Sequence, residues 1–157
     1  MIVVADTSPI NYLVLIEEID ILAKMYGSVV IPRAVREELL RPSAPEVVRT
    51  WIVQLPAWLE VRSPVNLPDA SLVSLDPGER DAIMLALELP ADQLIVDDRL
   101  GRQEAQRRGI PVMGTLGVLR EASSLGLLDL RTAVKRLEAT SFHIAPEVLA
   151  RLLKTRS

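Results

Sequence analysis

The sequence predicts an α/β fold: a central, mostly parallel sheet of about four to five strands with helices on both faces. Three observations carry this expectation. Ile2-Val3-Val4-Ala5, Ser28-Val29-Val30-Ile31 and Leu94-Ile95-Val96 are short apolar runs rich in β-branched residues, as strands buried on both faces are. A helical pattern follows each of them, opened by a proline, a hydroxyl or an acid. The alternation continues to about residue 128 with no repeat, low-complexity tract or clear linker. At 157 residues the chain is most simply one domain, with a core over about 1–128 and a helical C-terminal extension over about 129–157.

The first strand runs into Asp6, and Ser8 is the expected N-cap of a helix with Pro9 at its first position. A helical hairpin region extends through Tyr26 and ends at Gly27. The second strand, 28–31, is broken by Pro32, which starts a helix through Leu40. Prolines 42, 45 and 56 flank a helix containing Val47, Val48 and Trp51. Leu59-Glu60-Val61-Arg62 reads as an edge strand and 63–75 as a loop. Asp76-Pro77-Gly78-Glu79 opens a helix to about Leu89, and the fourth strand, 94–97, leads into a basic helix from about Arg99 to Arg108 capped by Gly109. Pro111-Val112-Met113 is the fifth strand, Thr115 to Leu125 a helix, and the remainder to Ser157 two helices broken near Phe142-His143 and Pro146.

Composition excludes several chemistries. The absence of cysteine removes disulfides, thiolate zinc sites and cysteine nucleophiles, and fits a reducing cytoplasm. His143 is the only histidine, so two-histidine acid–base chemistry within one chain is ruled out. A net charge of −3 argues against a nucleic-acid binder held by bulk charge alone. No apolar run is long enough to span a membrane. The start, Met1-Ile2-Val3-Val4-Ala5-Asp6, lacks the basic region of a signal peptide.

Helical phase sorts the acids. After Pro32, Glu38 falls between Ala34 and Val35 on the buried face and Glu37 faces away. After Pro77, Glu79 falls within the arc of Ile83, Ala86 and Leu87, whereas Asp81 sits beside Glu88 in the polar gap. Asp97 and Asp98 end the fourth strand, on the same sheet edge as Asp6 if the strands are parallel. Binding sites in open α/β sheets lie at the carboxyl ends of strands. That edge therefore gathers Asp6, Glu38, Glu79 and Asp98. Four carboxylates cannot all stay ionised there without cations, and hard divalent ions such as Mg²⁺ or Mn²⁺ suit oxygen ligands.

Each acid also has a structural explanation. Asp76-x-x-Glu79 has the spacing of a capping box with aspartate in the Ser/Thr place. Asp6 fits the N-cap of the first helix, and one of Asp97 and Asp98 that of the basic helix. Glu38 could pair with an arginine at a helix edge. Arg99, Arg102 and Gln106 share one helical stripe that suits phosphate or solvent alike. His143 reads as structural or exposed, and Trp51 and Trp58 as packing rather than base-stacking residues.

The motifs together resemble the PIN-domain family, in particular its prokaryotic branch of VapC-like toxins. The resemblance rests on Asp6-Thr7-Ser8-Pro9 after the first strand; on Val30-Ile31-Pro32 with Val35 and Glu38-Leu39; on Gly78-Glu79 with Ala82-Ile83 and Leu85-Ala86; on Asp97-Asp98-Arg99 with Arg102 and Ala105; and on Gly114-Thr115-Leu116-Gly117-Val118-Leu119. It implies a three-layer α/β/α fold and an endoribonuclease dependent on Mg²⁺ or Mn²⁺. Asp6, Glu38, Glu79 and Asp98 would be its acidic ligands, with Asp97 a second candidate for the fourth place. Thr7 or Ser8 would position water or phosphate, with Arg99 and Arg102 of the helical stripe as further candidates for phosphate. Glu79 stands where many members of that branch carry aspartate. The resemblance also implies an RNA substrate, a small antitoxin partner and a homodimer, with the apolar helices around 10–26 and 43–54 as candidate surfaces. Two other readings stand beside it: a catalytically silent PIN-like binding module, and a phospho-receiver built on the Asp97-Asp98 pair. A receiver needs a further aspartate at a later strand end, and none follows Asp98.

Overall fold

The structure, a computed structural model, describes residues 1–154. Strands β1 (Val3–Ala5), β2 (Val29–Pro32), β3 (Leu59–Arg62), β4 (Gln93–Ile95) and β5 (Val112–Met113) form one sheet in the order β3-β2-β1-β4-β5. Every pairing is parallel, so the sheet is wholly rather than mostly parallel. Successive side chains of a strand point to opposite faces, and both faces here are covered. Val3, Ala5, Val29, Ile31 and Ile95 enter one core, and Val4, Val30, Leu94 and Val96 enter the other.

The first core is closed by α1 (Thr7–Leu15), α2 (Ile21–Tyr26), α3 (Arg33–Leu39), α4 (Glu46–Val53), α7 (Thr115–Ser124), α8 (Leu130–Glu138) and α9 (Pro146–Lys154). The second is closed by α5 (Pro77–Glu88) and α6 (Arg99–Arg107). The three layers expected from the sequence are therefore present. Leu130, Val134 and Leu137 of α8 are buried in the first core, as is Leu152 of α9. The sequence reading carries the last helix to Ser157; residues 155–157 lie outside the described residues. Among the described residues no helix is long and apolar enough to cross a membrane.

Several boundaries differ from expectation. β2 runs through Pro32, which pairs with Arg62 at the strand's end, and the next helix begins at Arg33. A proline is tolerated there because no further ladder bond is needed from it. β4 stops at Ile95, not Asp97, because β5 is only two residues long and the ladder runs out; the Val96 N–H still donates to Met113 O at 2.9 Å. The expected loop 63–75 contains a 3₁₀ turn at Ala70–Leu72, which buries Leu72 and is tied down by Asp69 pairing with Arg108 at 2.8 Å. Leu87, placed in the apolar arc by helical phase, is 41% exposed.

From β1 the chain moves outward to β2 and β3, then returns to the opposite side of β1 for β4 and β5. The direction reverses between β1 and β4, which is where ligand crevices open at the carboxyl ends of such sheets. The Asp6 N–H donates across that seam to Ile95 O at 2.9 Å.

Candidate active site

The seam opens into a cavity of about 430 Å³ lined by Asp6, Thr7, Ser8, Tyr12, Glu38, Asp76, Glu79, Asp97 and Asp98. Six carboxylates meet there, and no lysine or arginine is among the lining residues. All the acids singled out in the sequence share this one cavity. Asp81 is elsewhere, paired with Arg80 at 3.1 Å, and Glu37 is exposed, as their helical phases require.

Asp6 sits at the N-cap position of α1, yet its side chain makes no capping bond. Its side chain is buried, and Oδ1 has no hydrogen-bond partner. The expected cap, Ser8, is instead the second residue of the helix. The hydroxyls of Thr7 and Ser8 face the carboxylates. Thr7 Oγ1 donates to Glu38 Oε2 at 2.6 Å, and Ser8 Oγ donates to Asp97 Oδ2 at 2.9 Å. Both hydroxyls thereby orient acids.

Glu38 reaches across to α5, where Oε1 accepts the Gly78 N–H at 3.1 Å. A Cβ on Gly78 would stand 2.6 Å from that oxygen and 3.1 Å from Thr7 Oγ1, so the contact needs glycine. The capping box is half made. Asp76 Oδ1 accepts the Glu79 N–H at 2.9 Å, while Glu79 is turned into the cavity, buried, with Oε2 unpartnered. Gly101 of α6 comes close to that oxygen: a Cβ there would lie 3.0 Å from it.

The two acids after β4 separate in role. Asp98 caps α6, its Oδ2 accepting the Leu100 and Gly101 N–H groups, each at 3.1 Å. Asp97 accepts from the Thr115 N–H at 2.7 Å and from Thr115 Oγ1 at 2.6 Å, besides Ser8. It thereby ties β4 to the starts of α1 and α7. Arg99 and Arg102 are exposed and do not line the acidic cavity; Arg102 borders its neighbour. No carboxylate follows β5, whose end is Met113-Gly114, so the receiver arrangement is absent.

Sequence reasoning missed two lining residues. Asp76 looked like a helix cap only, although any cap of the helix that carries Glu79 opens on this same edge. Tyr12 lies one helical turn beyond Ser8, and that i, i+4 spacing was the available signal.

Electrostatics follow from burial. The Asp6 carboxyl is raised to about 7, chiefly by burial and further by Asp76, Glu38 and Asp97, with the Thr7 N–H opposing. Glu79 is raised well above the usual carboxylate range by burial, with Asp76 and Asp98 beside it. Among the described residues no three acids are already drawn into a metal-holding cage. The donor set nevertheless fits a hard divalent cation: every nearby side-chain donor is oxygen, and two buried carboxylate oxygens lack a partner.

Comparison with known proteins agrees with the fold. A family model described as PIN domain matches residues 2–157. A solved structure of a PilT N-terminus domain protein from the hyperthermophilic archaeon Sulfolobus solfataricus P2 is similar at 19% identity, with a TM-score of 0.53. The match covers 92% of this chain and 100% of that one. At that identity the likeness bears on the fold alone. Comparison with curated proteins gives no significant match.

The raised Asp6 value has a measurable consequence for the protein without divalent ions. The folded-state value lies above the ordinary 3.8, so folding favours the protonated form. The contribution to stability is full below about 4 and is lost as pH rises through about 7. Asp6→Asn is therefore expected to be more stable than wild type at pH 8 by roughly 2–4 kcal/mol, and equal to it near pH 4. Chelated protein unfolded by denaturant across that range measures this; a constant difference between the two proteins at every pH contradicts it.

Proposed function

Because the chain belongs to the PIN-domain family, a family of nucleases, we propose that its acid-lined cavity is the centre of a metal-dependent endoribonuclease. The observation that carries the proposal is the gathering of six carboxylates on one cavity at the sheet's switch point, two of them buried with an unpartnered oxygen. Such a site is stable in its ionised form only when a cation balances it.

Asp6, Glu38, Glu79 and Asp98 are the acids that would hold Mg²⁺ or Mn²⁺. We place Asp98 ahead of Asp97 in that set. Both cap bonds of Asp98 fall on a single oxygen, whereas Asp97 is occupied by three donors and is better suited to positioning. The chemistry a bound divalent ion supplies is activation of water and stabilisation of charge on the phosphate. The chain's own part is to fix Glu38 through Thr7 and Gly78, to fix Asp97 through Ser8 and Thr115, and to bury Asp6 and Glu79. Tyr12 closes one wall. No side-chain nucleophile is required, in accord with the lack of cysteine and with the position of His143 outside the cavity.

We extend the reading to a VapC-like toxin, cytoplasmic and homodimeric, held in check by a small antitoxin. Of the two candidate surfaces, Ile10, Leu13, Ile21 and Leu22 are consumed by the first core, whereas α4 keeps Val47 and Val53 55% and 63% exposed. The α4 face is the better surface for a second copy. Val53→Glu is expected to shift the protein to monomer in analytical ultracentrifugation. Sedimentation identical to wild type would remove α4 from the interface.

The central test is cleavage of single-stranded RNA with Mn²⁺, alongside calorimetry of Mn²⁺ binding. Asp6→Asn is expected to lose both, with cleavage down at least about 100-fold. Equal Mn²⁺ binding by the two proteins would defeat the metal centre, and Mn²⁺ binding without cleavage of any RNA would make the protein a silent binding module. Gly78→Ala tests how Glu38 is held. Its Cβ displaces a flexible carboxylate rather than backbone, so cleavage should fall about tenfold or more with a stability loss within about 1 kcal/mol. Unchanged cleavage would mean that the Glu38 contact is dispensable.

A further inference from the structure

A second cavity, of about 540 Å³, adjoins the acidic one. It lies beyond the edge strand β5, between the start of α7 and the segment joining α8 to α9. Its walls are largely apolar: Val112, Met113, Leu116, Phe142, Ile144 and Val148. Two groups of a different kind border it, Arg102 from α6 and His143 from the joining segment, both exposed. Arg102 makes no ion pair among the described residues.

The two cavities adjoin at a shared residue. Asp97 lines both. Tyr12, in the wall of the first, meets Phe142, in the wall of the second, edge to face with ring centroids 5.0 Å apart. The Tyr12 hydroxyl also shares a hydrogen bond with Ser141 Oγ at 2.8 Å, so the joining segment is pinned to α1. Arg102 stands at the seam: its Nη1 lies 3.6 Å from where a Cβ on Gly114 would be, and Asp97 Oδ1 lies 2.9 Å from the same point. Arg102 thus puts a cation between the six carboxylates and an apolar recess of a size suited to a small ligand.

We propose that this recess receives the nucleotide next to the phosphate being cleaved, its base against the Met113, Leu116 and Phe142 surface and its own phosphate on Arg102. The inference rests on the nuclease reading of the acidic cavity. An unstacked base presents apolar faces and a charged tether, which is the chemistry that this pairing of apolar wall and lone arginine matches.

The test measures RNA binding apart from cleavage. Anisotropy of a labelled single-stranded RNA of about twelve nucleotides is read in Ca²⁺, which occupies oxygen sites with looser geometry. Ala145→Trp fills the recess, and Arg102→Ala removes the cation at an exposed position where folding is not at stake. Each is expected to weaken binding about tenfold, and Arg102→Ala to lower the salt slope by about one. In Mn²⁺ both should raise KM with kcat changed less than about threefold, while calorimetric Mn²⁺ binding stays at the wild-type value. Wild-type RNA affinity in both variants would overturn the recess while leaving the nuclease intact. Recess-dependent binding by a wild type that cleaves nothing would do the reverse.

Discussion

The structure turns on a charge that has been taken out of water and given no partner. Asp6 ends the central strand with its side chain buried and one oxygen unsatisfied. A lone buried carboxylate is costly, and in isolation it takes up a proton. Here it stands among five other carboxylates, and burial and those neighbours both hold its proton on. Such a group lowers stability under ordinary conditions. At the switch point of the sheet, that cost is what the proposed cation would offset.

Around that constraint the fold supplies two kinds of acid. Glu38 and Asp97 are held by donors from the chain: Thr7 and Gly78 for one, Ser8 and Thr115 for the other. Asp6 and Glu79 are buried with oxygens left over. Closeness is achieved with glycines, since a Cβ at Gly78, Gly101 or Gly114 would fall within 2.6 to 3.0 Å of a carboxylate oxygen. Helix α1 therefore does more than connect β1 to the next layer. Its first two hydroxyls fix acids that come from α3 and from the end of β4, far away in the chain.

Much of this was legible beforehand because the relevant signals are periodic. Buried parallel strands leave apolar runs, and helical phase alone separated Glu38 from Glu37 and Glu79 from Asp81. What the sequence did not disclose depends on contacts between distant elements. That the hydroxyls of Thr7 and Ser8 hold acids was hidden because their partners lie 31 and 89 residues away. Asp97 and Asp98 were not distinguishable, since adjacent residues at a strand end differ only by the turn that follows. Asp76 was hidden by having a sufficient local role. Leu87 fell on the wrong side because phase places a residue on a face but does not say how far the neighbouring layer extends.

The lack of a tight acidic cage among the described residues follows from the same physics. Carboxylates drawn to within a few ångströms of a common point repel one another strongly in a half-buried site. A chain that closed the cage by itself would set that repulsion against a total stability of only some 5–15 kcal/mol. Fixing Glu38 and Asp97 by hydrogen bonds, and burying Asp6 and Glu79 so that they hold protons more readily, lessens that repulsion. On the metal-centre reading proposed above, the remaining closure of Asp6 and Glu79 onto a common centre would be driven by the cation. On that reading a bound ion would compete with the proton on Asp6, so ion affinity would rise with pH over the range in which Asp6 titrates.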